Sequence, residues 1–277
     1  KSAPYLYGLL CAAGTLGSMA GNAYVYKYSE SIGTESLIVL VIPIMIMMSL
    51  CAISLQFALK SKTSSSAPIE RKNQITESSL WSSIQVVWQS KYLVWILAIV
   101  LLSQITVTLI DYQYKTILKD YFPLLDQRSQ IQGMIYFSID VGALVTQLLT
   151  GFILIRFGAG RTLVGISAFL GILALVPLFF PIFTLIAALK SSSKFLTYSL
   201  FKSAKEILYL PLTYREQTQG KALIDIMAYR QAKIIASILL LLLTRYQVSL
   251  QFLQYLTLAS IVFWMLASIY LHRCTRV

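Results

Sequence analysis

The chain has 277 residues, of which 57% are hydrophobic and only 12% charged, too little polar surface to cover a single soluble domain. Lys and Arg number 23 against 11 Asp and Glu, a net charge of +12, which points to anionic partners or to anionic lipid headgroups. Cys11, Cys51 and Cys274 are scattered among apolar residues without C-x-x-C spacing or nearby histidine, which excludes a disulfide framework and a zinc site and leaves them as buried packing residues.

A membrane span takes about 20 mostly apolar residues, and eight stretches qualify: 4–26, 36–59, 92–117, 129–155, 162–180, 182–212, 222–244 and 247–271. The expected fold class is therefore an all-α integral membrane bundle. The first stretch lacks the short apolar core and small-residue cleavage site of a secretory signal, and the chain starts at Lys1; it is expected to belong to something longer. Between the second and third spans, "KSKTSSSAPIERKNQITESS" is the longest polar run and reads as a linker. After it Trp81 and Trp88, seven apart, predict a short helix lying at the interface. The sixth span is polar in its middle and bounded by Pro181 and Pro211.

Eight spans place both termini on one side. Lys60, Lys62, Arg71, Lys72, Lys91, Arg156, Arg161, Arg215, Lys221, Arg273 and Arg276 all fall on one face, whereas the opposite loops hold little beyond Lys27, Lys119, Arg128 and Arg245. The positive-inside bias puts that first face, and both termini, in the cytoplasm.

Charged residues within spans are costly and normally face a bundle interior or a wet cavity. In the sixth span Lys190, Lys194, Tyr198 and Lys202 follow at steps of four and end at Glu206, with Lys205 broadening the stripe. On an α-helix this forms a basic ladder that drifts by about 40° per step. Such a ladder calls for water, acids or a polyanion to meet it. In the seventh span Lys221 and Asp225 are spaced to pair, and Arg230 and Lys233 lie deeper in the apolar helix. In the third span Asp111 and Lys115 stand four apart; Asp111 either neutralises Lys115 or faces a cavity, and Asp140 in the fourth span is a similar candidate. His272, the only histidine, reads as an interfacial residue.

The run "YSLFKSAKEILYLPL", followed by "GKALID" and Arg230, resembles the ATP/ADP antiporters, the nucleotide translocases of obligate intracellular bacteria and plastids. The resemblance covers most of 92–271 and is most specific over 194–233. "RFGAGR" at 156–161 is similar to the short basic loop of a major-facilitator half. The resemblance implies a major-facilitator-like bundle with about eight of twelve helices present. Residues 1–59 would supply the last two helices of the N-terminal half, 60–91 a cytoplasmic linker with an interfacial helix, and 92–277 the six-helix C-terminal half. It places the family's implicated acid on Asp111, where glutamate is expected, and its conspicuous lysine on Lys221. Two segments depart from the family pattern, "TYREQTQ" before that motif and "QAKIIAS" after the arginine.

The resulting expectation is a carrier that exchanges nucleotides by alternating access, its substrate's phosphates met by the sixth- and seventh-span cations and a base stacked on Tyr198 or Tyr229. The substrate-binding candidates are Asp111, Lys190, Lys194, Tyr198, Lys202, Lys205, Glu206, Lys221, Asp225, Arg230 and Lys233. The alternatives are a proton-coupled carrier of another organic anion and a non-transporting membrane anchor. With no Walker motif, Ser-His-Asp set or metal cluster, no enzyme and no cofactor are expected. The expected partners are a nucleotide or other phosphorylated anion, the lipid bilayer of a bacterial inner membrane and the missing N-terminal part of the same protein, with no nucleic acid.

Overall fold

The computed structural model describes residues 3–63 and 80–274. Among these the chain is helical from end to end: α1 (Ala3–Ile32), α2 (Thr34–Thr63), α3 (Leu80–Gln89), α4 (Lys91–Tyr121), α5 (Leu125–Phe157), α6 (Ala159–Phe179), α7 (Phe183–Leu196), α8 (Lys202–Leu208), α9 (Tyr229–Arg245) and α10 (Leu250–Cys274). A π-helical turn, Thr197–Phe201, joins α7 to α8, and two more, Glu216–Gly220 and Leu223–Ala228, lead into α9. Most of the polar run at 60–79, with Arg71 and Lys72, lies outside the described residues, as do Arg276 and the side chains of Cys11, Lys60 and Lys62.

Helix is the form expected of apolar runs in lipid, where each backbone N–H and C=O must find its partner within the segment. Six stretches among the described residues are long and apolar enough to cross a membrane by themselves: Thr34–Ser54, Lys91–Tyr121, Leu125–Phe157, Ala159–Phe179, Glu216–Arg245 and Leu250–Cys274. α1 and the composite α7–α8 occupy the places of the other two expected spans. Chain breakers set the joints. Pro123 follows α4, Pro181 precedes α7 and Pro211 follows α8. Between α5 and α6 the joint is a single residue, Gly158, at φ 77°. That conformation favours glycine, and its N–H donates to the Leu154 carbonyl at 2.9 Å while its own carbonyl accepts from Thr162 N–H at 3.1 Å.

α4 is the axis of the bundle and packs against α7, α9 and α10; α6 packs on α10, α7 and α8. The core joins Leu93, Ile96, Ile99 and Val100 of α4 to Leu163, Ile166 and Leu170 of α6, with Phe201 edge-on to Trp264 at 5.7 Å. Lipid tails are as apolar as leucine, so close packing and hydrogen bonds carry much of the helix association. Gln113 Nε2 donates to Thr257 Oγ1 at 2.5 Å and to the Leu253 carbonyl at 3.1 Å, and Thr106 and Ser260 share a hydroxyl bond of 2.9 Å, all between α4 and α10.

α1 lies against α5 on the flank of this bundle. Their backbones meet at Gly133, where an added Cβ would stand 2.7 Å from Tyr26 N and 2.9 Å from the Asn22 carbonyl oxygen. Asp140 lies at this contact, accepting from Ser18 Oγ at 2.7 Å and from Asn22 Nδ2 at 2.8 Å. At the end of α1, Asp126 Oδ1 accepts from Thr34 N–H at 2.7 Å and from its hydroxyl at 2.6 Å. α2 touches only α1 and α5 among the stronger helix contacts and exposes its apolar side chains along much of its length.

α3 is the short helix expected before the third span, with Val86 and Val87 buried and Trp81 and Trp88 exposed. The cysteines differ from expectation. Cys51 and Cys274 are exposed free thiols, because an apolar residue on a lipid-facing helix surface lies outside the protein core.

Candidate substrate site

A cleft of about 660 Å³ opens between α4, the α7–α8 segment and the π–α9 segment. From α4 it receives Gln104, Val107, Thr108 and Asp111, at the i, i+3, i+4, i+7 spacing of one helix face. From the seventh span it receives Asp225, Tyr229, Lys233 and Ser237, each four residues after the last. Lys194, Thr197, Tyr198, Lys202, Lys205 and Glu206 complete the wall.

The π turn Thr197–Phe201 decides which of these last residues reach the cleft. An unbroken α-helix would set Lys202 about 80° and Glu206 about 120° around the axis from Lys194. A π turn takes up one extra residue, which sets everything beyond it back by about 100° and brings both to within about 20° of Lys194. Tyr198 lies within the turn and is exposed.

The cations are held by carboxylates from other helices. Asp111 on α4 bridges two lysines of α7: Lys194 Nζ is 3.2 Å from Oδ2 and Lys190 Nζ is 3.5 Å from Oδ1. Lys190 is 1% exposed, with Nζ 3.8 Å from the Tyr114 ring centroid and 4.7 Å from that of Tyr136, so two aromatic faces supply the charge stabilisation that water gives elsewhere. Asp111 Oδ1 accepts no hydrogen bond, and the bridge holds it by charge alone on that side. Further along the sixth span, Lys205 Nζ donates to Asp225 Oδ1 at 2.6 Å, with the Tyr229 ring 5.0 Å away. Lys221 Nζ donates to Glu206 Oε2 at 2.6 Å.

These pairs are not those the sequence spacing predicts. Asp111 turns to α7, and Lys115 on the same helix is exposed. Lys221 and Asp225 each pair with a residue of α8 instead of with each other. Among the described residues Lys202 and Lys233 line the cleft and are exposed, with no acid within ion-pair distance.

Of the predicted site residues, Asp111, Lys194, Tyr198, Lys202, Lys205, Glu206, Asp225 and Lys233 line the cleft, and Lys190, Lys221 and Arg230 do not. Lys190 is buried one turn behind Lys194, and Lys221 stands one turn before Asp225. Arg230 follows Tyr229 directly, which places it about 100° around the helix from the cleft face. Gln104, Thr108 and Ser237 are cleft residues that carry no charge to attract notice in the sequence. The face through Asp111 and the four-residue steps onward from Asp225 are the signals that find them.

This arrangement defines a class: an all-α, multi-pass integral membrane protein with a charged cleft enclosed by its helices. The chain matches the family described as TLC ATP/ADP transporter over residues 9–188 and again over 167–274, and it belongs to that family. It is 27% identical over 195 residues to "ADP,ATP carrier protein 1" of Chlamydia muridarum and 28% identical over 195 residues to the protein of the same name from Chlamydia trachomatis serovar D. In both comparisons the match covers 60% of this chain and 36% of the relative, so it spans little more than a third of the length of these relatives. No solved structure matches the chain.

Proposed function

We propose that the protein is a nucleotide carrier, exchanging ATP for ADP or a similar pair by alternating access, with the substrate phosphates bound by intramembrane lysines of the cleft. The observation that carries this reading is that Lys202 and Lys233, which among the described residues have no acid partner, stand beside Lys194 and Lys205, whose carboxylate partners a phosphate can replace. Tyr198 and Tyr229 offer ring faces to a base at the same wall. The names of the two relatives support the choice of adenine nucleotide.

Exchange follows from desolvation. Closing an empty cleft removes water from unpaired ammonium groups, at a cost of several kcal/mol per ion. A bound nucleotide polyanion neutralises them and makes the occluded state accessible, so the carrier crosses readily only when loaded. Under this reading residues 92–277 form the C-terminal half of a major-facilitator-like carrier, and α1 and α2 close an N-terminal half. The flank position of α1 on α5 is consistent with that division. Both termini of the chain then lie on the cytoplasmic side of a bacterial inner membrane.

The test is uptake of labelled ATP into liposomes reconstituted with the full-length protein, with and without internal ADP. Uptake is expected to require internal ADP and to fall at least about tenfold in Lys202→Gln/Lys233→Gln, since two charge-assisted contacts are lost. That variant is expected to keep its thermal stability, because neither lysine belongs to an ion pair among the described residues. Rapid net efflux of ADP with no external nucleotide would overturn strict exchange, and unaltered uptake in the double variant would overturn the phosphate site.

A further inference from the structure

A second cation cluster stands at the end of the bundle where α6 begins and α10 finishes, away from the cleft. Arg161 is in the first turn of α6, and His272 and Arg273 are in the last turn of α10. The two helix ends are in contact: a Cβ added at Gly160 would lie 2.6 Å from His272 Nδ1. Arg161, His272 and Arg273, with Val164 and Ile269, line a hollow of about 260 Å³. Both arginines are exposed and neither forms an ion pair among the described residues.

From Ile269 and Arg273 an apolar furrow of about 640 Å³ continues between α4 and α10. Its walls include Trp95, Leu102, Phe263, Leu266 and Tyr270, and the Trp95 and Tyr270 rings lie 4.3 Å apart, tilted by 35°. Ala98 and Ala267 on the facing helices keep the furrow deep. Amphipathic aromatic rings of this kind sit at headgroup level in membrane proteins.

An apolar furrow that ends on two uncompensated arginines matches one class of molecule, with an acyl chain along the furrow and a phosphate at the guanidinium groups. A zwitterionic lipid would bring its own ammonium toward the arginines, and free phosphate would leave the furrow unfilled. We propose that this is a binding site for an anionic phospholipid of the leaflet at that end of the bundle.

Trp95 provides the readout. The protein is reconstituted in phosphatidylcholine vesicles containing a small fraction of either phosphatidylglycerol or phosphatidylcholine brominated on the acyl chains. Quenching at Trp95 is taken by difference from Trp95→Phe. Brominated phosphatidylglycerol is expected to quench about fivefold more strongly per mole fraction, the preference one basic residue gives near a charged surface. Arg161→Gln/Arg273→Gln is expected to bring the two lipids to near parity, and Lys119→Gln, at the far end of α4, to leave the preference intact. Ala98→Phe, which fills the furrow while keeping both arginines, is expected to weaken quenching by phosphatidylglycerol and serves where the double variant does not fold. Equal quenching by the two lipids in the unaltered protein, a preference that survives either arginine loss or furrow filling, or displacement by inorganic phosphate alone would each overturn the proposal.

Discussion

Asp111 carries the heaviest electrostatic duty of any single residue in the cleft, since one carboxylate stands between two lysines and one of these is buried. Removing one partner of a buried pair leaves the other charge uncompensated, at a cost of about 3–5 kcal/mol. Asp111→Asn is therefore expected to lower the thermal stability of the detergent-solubilised protein markedly. Asp111→Asn/Lys190→Met should recover most of that loss, because the buried ammonium is gone. Equal destabilisation in the single and double variants would show that Lys190 does not depend on Asp111. The cleft positions of Asp111, Lys194, Lys202, Lys205 and Lys233 were legible from their place within apolar runs, where charge is expensive. Their partners were not, because Asp111 lies near Lys115 and Lys221 near Asp225 at helical spacing while the true contact comes from another helix. Spacing along one chain ranks local pairs and is blind to the packing that brings α4 against α7 and α8 against the π–α9 segment.

At the level of the element, the π turn at Thr197–Phe201 is what converts a list of lysines into a wall. The four-residue steps from Lys190 to Lys202 looked like an α-helical stripe, and the same spacing fits a helix with one residue too many, so the sequence could not distinguish them. Deleting Ser199 is expected to remove the extra residue and leave an unbroken α-helix in which Lys202 and Glu206 still stand within about 20° of Lys194, whereas inserting one alanine after Ser199 turns both about 100° from their present positions. The helix would still form in either variant, since no proline or charge is introduced. Expected outcomes are unchanged helicity by circular dichroism in both, with the Lys221 to Glu206 ion pair and nucleotide uptake kept after the deletion and lost after the insertion. Uptake retained after the insertion would mean that the phase of α8 is irrelevant to binding. The short helix α3 was the opposite case: two tryptophans seven apart and a flanking polar run sufficed to place it.

For the whole molecule, the hydrophobic runs made the helix order legible almost throughout, because a bilayer leaves few other ways to satisfy the backbone. They said little about which helices touch. That depends on small and polar residues such as Gly133, Thr106 and Ser260, which a hydropathy profile treats as minor interruptions. The single-residue joint at Gly158 has a mechanical consequence. Consecutive Cα atoms are about 3.8 Å apart, so α5 and α6 share a pivot and cannot slide past each other along the membrane normal. Their ends at Gly158 must move as one, and α1, fastened to α5 at Gly133 and Asp140, moves with α5. Spin labels on exposed residues of α5 and α6 near that pivot should keep one separation with and without nucleotide, and two separations there would show that the joint bends. In a bundle so tethered, a tilt of α5 reaches α6 as a lever's would, and the fulcrum is one glycine.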